Sequence, residues 1–176
     1  MKAFGTIDHN LNQKIVFIWI RDSALKWFTS YLAQRTQICK INNVTSPPKF
    51  IECGVPQGSN LGPLLFLLYI NELPNCLDKP VPVMYADDTN ITTSGETIKE
   101  LEDMLNCELN KVHNWLLVNK LTVNVGKTEY MIIGTRQRLS CNSHDPKIQI
   151  GGIDLKRVSV TKSLGILVDE NLNWNQ

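Results

Sequence analysis

The chain has 176 residues, of which 43% are hydrophobic and 20% charged, with 10 Gly and 8 Pro. Those proportions exclude a disordered, collagen-like or mucin-like chain, and the length suits one domain with its own core. The formal net charge of +1 conceals a segregation: residues 1–50 carry seven basic and two acidic side chains, 51–110 two and ten, and 111–162 nine and three.

Ser23 can cap a helix in which Ala24, Leu25, Phe28, Tyr31 and Leu32 recur at three-and-four spacing, ending near Arg35. Residues 37–53 predict two extended segments that turn at Asn42 and Asn43, with Pro47-Pro48 barring the stretch between from any central strand. Residues 54–58 are a loop by composition. Ser59 or Asn60 can cap the next helix, which has Pro63 in its first turn, where a missing N–H costs little. Over 64–70 that helix is apolar on every side, which predicts burial all round, either as a rigid platform for something held at its N-terminus or as a plain core helix.

Val81, Val83 and Tyr85 alternate with Pro82 and Met84, and Ile91 resumes the strand pattern, predicting a β-hairpin with Asp87 and Asp88 at its tip. Ile98, Leu101, Leu105, Leu109, Val112 and Leu116 predict a helix over about 96–118, with Glu100, Glu102, Asp103 and Glu108 facing water. Leu121, Val123 and Val125 predict a strand that Gly126 breaks and 129–133 returns. A further hairpin follows over 147–150 and 153–158 about Gly151-Gly152, and then a strand over 164–168. The sum is an α+β protein of antiparallel hairpins and buried helices.

The five Cys are odd in number, dispersed and without a CxxC pair, so neither a disulfide framework nor a zinc knuckle is indicated. No apolar leader opens the chain, and the longest apolar run is far short of the ~20 residues of a membrane span. A soluble intracellular protein, in cytoplasm or nucleus and without a membrane partner, is the expectation. The acidic centre between basic flanks fits a cation site inside a polyanion-binding surface, and equally the solvated face of a helix.

Asp87 and Asp88 carry the first chemical argument. Two carboxylates at one apex repel each other unless a cation lies beside them, and Mg²⁺ is held through a few carboxylates plus substrate phosphate oxygens. Asp pairs are also common in turns because they bond nearby backbone N–H groups.

Tyr85-Ala86-Asp87-Asp88 follows Gly54-Val55-Pro56-Gln57-Gly58-Ser59 and Leu61-Gly62-Pro63-Leu64-Leu65-Phe66. In that order these motifs resemble the palm of reverse transcriptases from non-LTR retrotransposons, most closely the LINE-type or Jockey-like elements. Ala24-Leu25-Lys26-Trp27-Phe28, Ile70-Asn71-Glu72-Leu73-Pro74, Asn119-Lys120-Leu121, Lys127-Thr128 and Leu164-Gly165 extend the resemblance over essentially the whole chain. It implies a polymerase palm-like antiparallel sheet with packed helices over 1–134, and a region resembling the primer grip and the start of the connection to a thumb over 147–176, with fingers and thumb largely missing.

The resemblance also implies roles. Asp87 and Asp88 would bind the two Mg²⁺ ions, and Lys127 would stabilise or protonate the leaving pyrophosphate. Gln57 and Gly58 would lie against the templating base and incoming dNTP, with Tyr85 beside them, and Phe4 would be the steric gate against a ribose 2′-hydroxyl. Leu164 and Gly165 would grip the primer. RNA template, DNA primer and dNTP are the implied partners.

Two departures stand out. The family's first metal-binding aspartate would fall before Met1, and Gly5 stands where the family has Asp after the gate aromatic; Asp8 is too far along the strand to substitute. The expectation is therefore a fragment of an RNA-directed DNA polymerase, inactive or nearly so as an isolated chain, with weak or absent Mg²⁺ binding. The alternative is a non-catalytic remnant that keeps nucleic-acid or protein contacts through its basic flanks. A small metal-dependent phosphohydrolase fits poorly, since no further acidic or His-rich ligand motif accompanies the pair.

Overall fold

The structure, a computed structural model, describes residues 21–55, 58–140 and 144–173. Phe4 and Gln57 lie outside the described residues, as do Gly5 and Asp8. Helix α1 (Asp22–Leu32) buries Leu32 and leads into four short strands, β1 (Thr36–Gln37), β2 (Lys40–Ile41), β3 (Val44–Thr45) and β4 (Lys49–Phe50). β2 pairs with β3 and β1 with β4, both antiparallel. The turn falls at Asn42 and Asn43, whose φ values of 45° and 66° are those of a type I′ hairpin.

Helix α2 (Leu61–Ile70) begins where expected, and Ser59 makes the cap: its Oγ accepts from the Gly62 N–H at 3.0 Å. Leu65, Phe66, Tyr69 and Ile70 are buried and form the centre of the core. Burial all round is corrected, because Leu64 and Leu67 are 44% and 48% exposed. An all-apolar sequence removes the polar stripe that would mark the solvent side, so periodicity could not tell the covered face from the open one.

A 3₁₀ turn (Leu73–Cys76) leads to the hairpin β5 (Val81–Tyr85) and β6 (Asp88–Thr92). Helix α3 (Ile98–Val118) follows, capped by Thr97, whose hydroxyl accepts from the Glu100 N–H at 3.2 Å, while the Glu100 carboxylate accepts from the Glu96 N–H at 3.1 Å. Its C-terminus closes through the Lys120 N–H to Leu117 and the Leu121 N–H to Leu116, a Schellman arrangement with Lys120 at φ 54°.

Two of the four acids expected to face water do not. Glu108 is only 4% exposed; it accepts from the Asp78 N–H at 3.0 Å and pairs with Lys111 at 2.6 Å. Asp78 and Glu108 together hold the Lys111 ammonium well above the usual lysine value, and Lys111 in turn lowers the Asp78 carboxyl. Glu102 is half-buried, accepts from the Lys147 N–H at 3.2 Å and meets His144 Nε2 at 2.6 Å. A carboxylate moves inward when fixed N–H donors meet it there, and those donors come from segments remote in sequence.

The predicted hairpin over 121–133 is corrected. Residues 121–125 alternate in burial but form no ladder; a 3₁₀ turn (Val125–Lys127) replaces the strand end. β7 (Glu129–Tyr130) pairs in parallel with β10 (Lys156–Arg157), a partner no local pattern announces. Helix α4 (Arg136–Ser140) lies between. β8 (Gln149–Ile150) and β9 (Ile153–Asp154) form the expected hairpin, and β11 (Val160–Ser163) pairs with β12 (Ile166–Asp169). Leu164 and Gly165 are therefore a turn, with φ of 48° and 89°, and the strand predicted over 164–168 starts later.

The architecture is α+β, and among the described residues its ladders are separate two-stranded pairs. α3 binds the C-terminal hairpins to the core. The Asn106 side chain donates to the Lys147 carbonyl and accepts from the Gln149 N–H, both at 2.8 Å, so it substitutes for a neighbouring strand. No helix among the described residues is long and apolar enough to cross a membrane.

Candidate functional site: an acidic hairpin turn

The register Tyr85↔Asp88 leaves Ala86 and Asp87 as a two-residue loop. Ala86 takes φ 52°, a conformation that costs a residue with a Cβ about 1–2 kcal/mol. The strain is met where the chain must reverse between two acidic positions. Asp87 thus occupies the turn and Asp88 the first position of β6, both exposed. Among the described residues no group of three Asp, Glu, His or Cys side chains stands together.

Tyr85 ends β5 directly across from Asp88. Val81, Val83 and Tyr85 face outward, while Pro82, Met84 and Ile91 are the half-buried side of the hairpin. The apolar backing of the acidic tip is therefore Met84 and Ile91, which pack on the core. An open cavity of about 320 Å³ lies at the other end of this hairpin, lined by Lys79, Val81, Thr92, Thr93, Ser94 and Met104.

The β5–β6 and β11–β12 hairpins meet. Asn90 Nδ2 donates to Ser163 Oγ at 3.3 Å, which sets the acidic hairpin against the strand that ends in Leu164 and Gly165. Lys127 closes the 3₁₀ turn two positions before Glu129, whose carboxylate accepts from the Thr161 hydroxyl of the same β11 strand. The acidic turn, the Lys127 turn and the Leu164–Gly165 turn are linked through β11. Gly58 belongs to a different element, the loop before α2; its φ of 82° demands glycine, and the space beside it is open.

Asn90, Ser163, Glu129 and Thr161 make these links and were not singled out from sequence. Each is an ordinary polar residue in a strand pattern. Only the pairing of elements more than 30 residues apart brings them together.

Residues 1–166 match the family described as reverse transcriptase (RNA-dependent DNA polymerase). The chain is 30% identical over 138 residues to the RNA-directed DNA polymerase from mobile element jockey of Drosophila funebris, covering 74% of this chain and 14% of that protein. It is 32% identical over 152 residues to the probable RNA-directed DNA polymerase from transposon BS of Drosophila melanogaster, covering 82% and 16%. A third relative is the retrovirus-related Pol polyprotein from type-1 retrotransposable element R1 of Bradysia coprophila, 32% identical over 128 residues, covering 72% and 12%. The chain thus spans about one-seventh of the length of the curated relatives it matches. The family match over residues 1–166 shows that this chain belongs to the reverse transcriptase family, and it is similar to the RNA-directed DNA polymerases of jockey-like mobile elements.

Proposed function

We propose that this chain supplies the palm portion of an RNA-directed DNA polymerase, with Asp87 and Asp88 as metal-binding carboxylates. The observation that carries the reading is the strained turn that places Asp87 at the tip and Asp88 at the start of β6, in a hairpin hydrogen-bonded through Asn90 to Ser163, the residue before Leu164–Gly165. Two adjacent exposed carboxylates suit Mg²⁺, which takes one or two protein carboxylates and leaves its other positions to water and phosphate. Bound there, the ion would supply Lewis-acid stabilisation of the transferring phosphoryl group.

The protein's own part is positional. The β5–β6 hairpin fixes the two carboxylates to a rigid ladder, so their charge is held where a triphosphate would arrive. Leu164 and Gly165 hold the primer end next to that charge. Lys127 brings a cation towards the leaving pyrophosphate, and its ammonium can offset the developing charge. Gly58, joined by Gln57, offers a side-chain-free backbone surface to the templating base and dNTP, with Phe4 gating the sugar and RNA as template.

Manganese binding followed by water-proton relaxation, with Mg²⁺ as competitor, tests the core of this reading. Binding by this chain should be weak, and Asp87→Asn should weaken it at least about ten-fold further. Equal binding by wild type and Asp87→Asn would overturn it. The isolated chain should show little or no Mg²⁺-dependent dNTP incorporation on an RNA template, and robust incorporation abolished by the same substitution would overturn that inactivity. A second reading, a nucleic-acid-binding remnant without catalysis, is favoured by the lack of a three-ligand cluster among the described residues. Salt-sensitive RNA binding by a chain that binds no manganese would select it.

A further inference from the structure

The first basic flank contains a surface that the polymerase reading does not use. On α1, Trp27 and Tyr31 are one helical turn apart, and their rings stack at 5.7 Å between centroids with planes 12° apart. The Arg35 guanidinium lies over the Tyr31 ring at 5.1 Å and also donates to the Tyr31 carbonyl. The result is a column of indole, phenol and guanidinium along one side of the helix. Its outer end is open, since Trp27 is 53% exposed despite being the largest apolar side chain of the element. Phe28 packs edge-on against Trp27 and fixes the indole plane.

Between Asp22, which opens the helix, and Glu52, the charge along the chain has one sign. From Ser23 to Ile51 the chain holds Lys26, Arg35, Lys40 and Lys49 and no acidic residue. The β1–β4 arm leaves the helix at Arg35, where the Ile51 N–H donates to the Arg35 carbonyl at 2.9 Å. Every residue of the arm over 36–50 is exposed, including Lys40, Lys49 and Phe50. A core packing role would bury Trp27.

We infer that the Trp27–Tyr31–Arg35 column is a stacking platform for unpaired bases of a single-stranded nucleic acid whose phosphates run along the basic β1–β4 arm. Flat, prefixed π-faces accept any base, and the cations neutralise phosphates without reading sequence. The inference rests on the polymerase reading only for the class of ligand. It adds a contact for single strand away from the acidic turn.

Fluorescence anisotropy with labelled oligo(U) and oligo(dT) of about a dozen nucleotides at low salt tests it on the whole chain. Trp27→Leu keeps the apolar bulk and removes the π-face. It should weaken binding about ten-fold, Trp27→Phe should restore most of that loss, and Leu117→Ala, an exposed apolar truncation on α3, should change nothing. Arg35→Gln and Lys49→Gln should each lower the salt slope by about one. Weaker binding to oligo(dT) than to oligo(U) would assign the strand as RNA, and equal binding would assign backbone and stacking recognition alone.

Unchanged oligonucleotide affinity in Trp27→Leu would overturn the platform, and if a template–primer duplex still binds, the polymerase reading survives it. Failure of the wild type to bind single strand or duplex would sink both. A concentration-dependent dimer in sedimentation that Trp27→Leu abolishes, with no effect on oligonucleotides, would give this face to a second copy of the chain and likewise overturn the proposal.

Discussion

Substituting alanine at Gly151 and, separately, at Gly152 isolates how the C-terminal hairpins seat on α3. Both glycines have left-handed backbone, φ 59° and 79°, so each alanine meets the same conformational penalty, about 1 kcal/mol once the lost freedom of the unfolded chain is set against it. Space separates the two positions. A Cβ at Gly152 would meet nothing within 4 Å, whereas one at Gly151 would lie 2.6 Å from Cε1 of His113, 2.9 Å from Nε2 and 3.0 Å from Nδ1. Displacing that ring from its half-buried place on α3 adds an overpacking cost of about 1–3 kcal/mol. Gly151→Ala should therefore cost roughly 3 kcal/mol against roughly 1 for Gly152→Ala, read as midpoints in urea with unchanged m. In a His113→Ala background the two substitutions should become equivalent, and the cycle corrects for whatever His113→Ala costs alone. Equal losses in the wild-type background would show that α3 and the β8–β9 turn are not in contact, and the seating described above would fail with them.

Three further outcomes are expected. Thr97→Ala removes the hydroxyl that caps α3 and should cost about 1 kcal/mol, measured as a lower urea midpoint. Glu102→Gln should lower stability at neutral pH, because the His144 hydrogen bond first, then the Lys147 N–H, holds this carboxyl below its usual value against the opposing effect of desolvation. A carboxyl depressed by folding contributes stability above its unfolded-state pKa and loses it as pH falls through the folded-state value. The wild-type and Glu102→Gln urea midpoints should accordingly converge in acid, and a gap that persists there would refute the assignment. Asp87→Asn, at an exposed turn, should leave the thermal midpoint within about 1 °C of wild type while removing the manganese response described above.

Where local physics decides, the sequence could be read. α3 was placed within two residues because six apolar positions keep one stripe and Thr97 supplies the cap. The turns at Asn42–Asn43 and Gly151–Gly152 follow from residues that accept positive φ. What escaped is non-local. The parallel β7–β10 pair joins segments 27 residues apart in register, so alternation over 121–133 could only suggest the nearest antiparallel return. Glu108 looked like surface because its partner is a backbone N–H thirty residues upstream. The same division holds at the site. The acidic turn could be located from Tyr85 to Asp88 alone, but the approach of the Leu164–Gly165 turn depends on Asn90 and Ser163, separated by 73 positions.

That approach raises the question of what holds the two hairpins in place. The Asn90–Ser163 hydrogen bond is exposed and 3.3 Å long, too weak to fix two turns against thermal motion when a good neutral bond nets about 1 kcal/mol. The acidic hairpin, however, is anchored at its root to α3, and the same helix holds β8, which opens the C-terminal region. Glu108 and Lys111 grip the Asp78 segment that enters β5, while Glu102 and Asn106 grip 147–149, from which the β8–β12 region departs. A 21-residue helix with buried Leu109, Val112 and Leu116 is stiff on the scale of one side chain, so it sets the separation between the entry to β5 and β8. The acids that looked like a solubility face thus include the anchors of the acidic hairpin, while β11–β12 is held from the 129–130 segment, through the Thr161 hydroxyl on Glu129 and the Val158 N–H on the Tyr130 carbonyl.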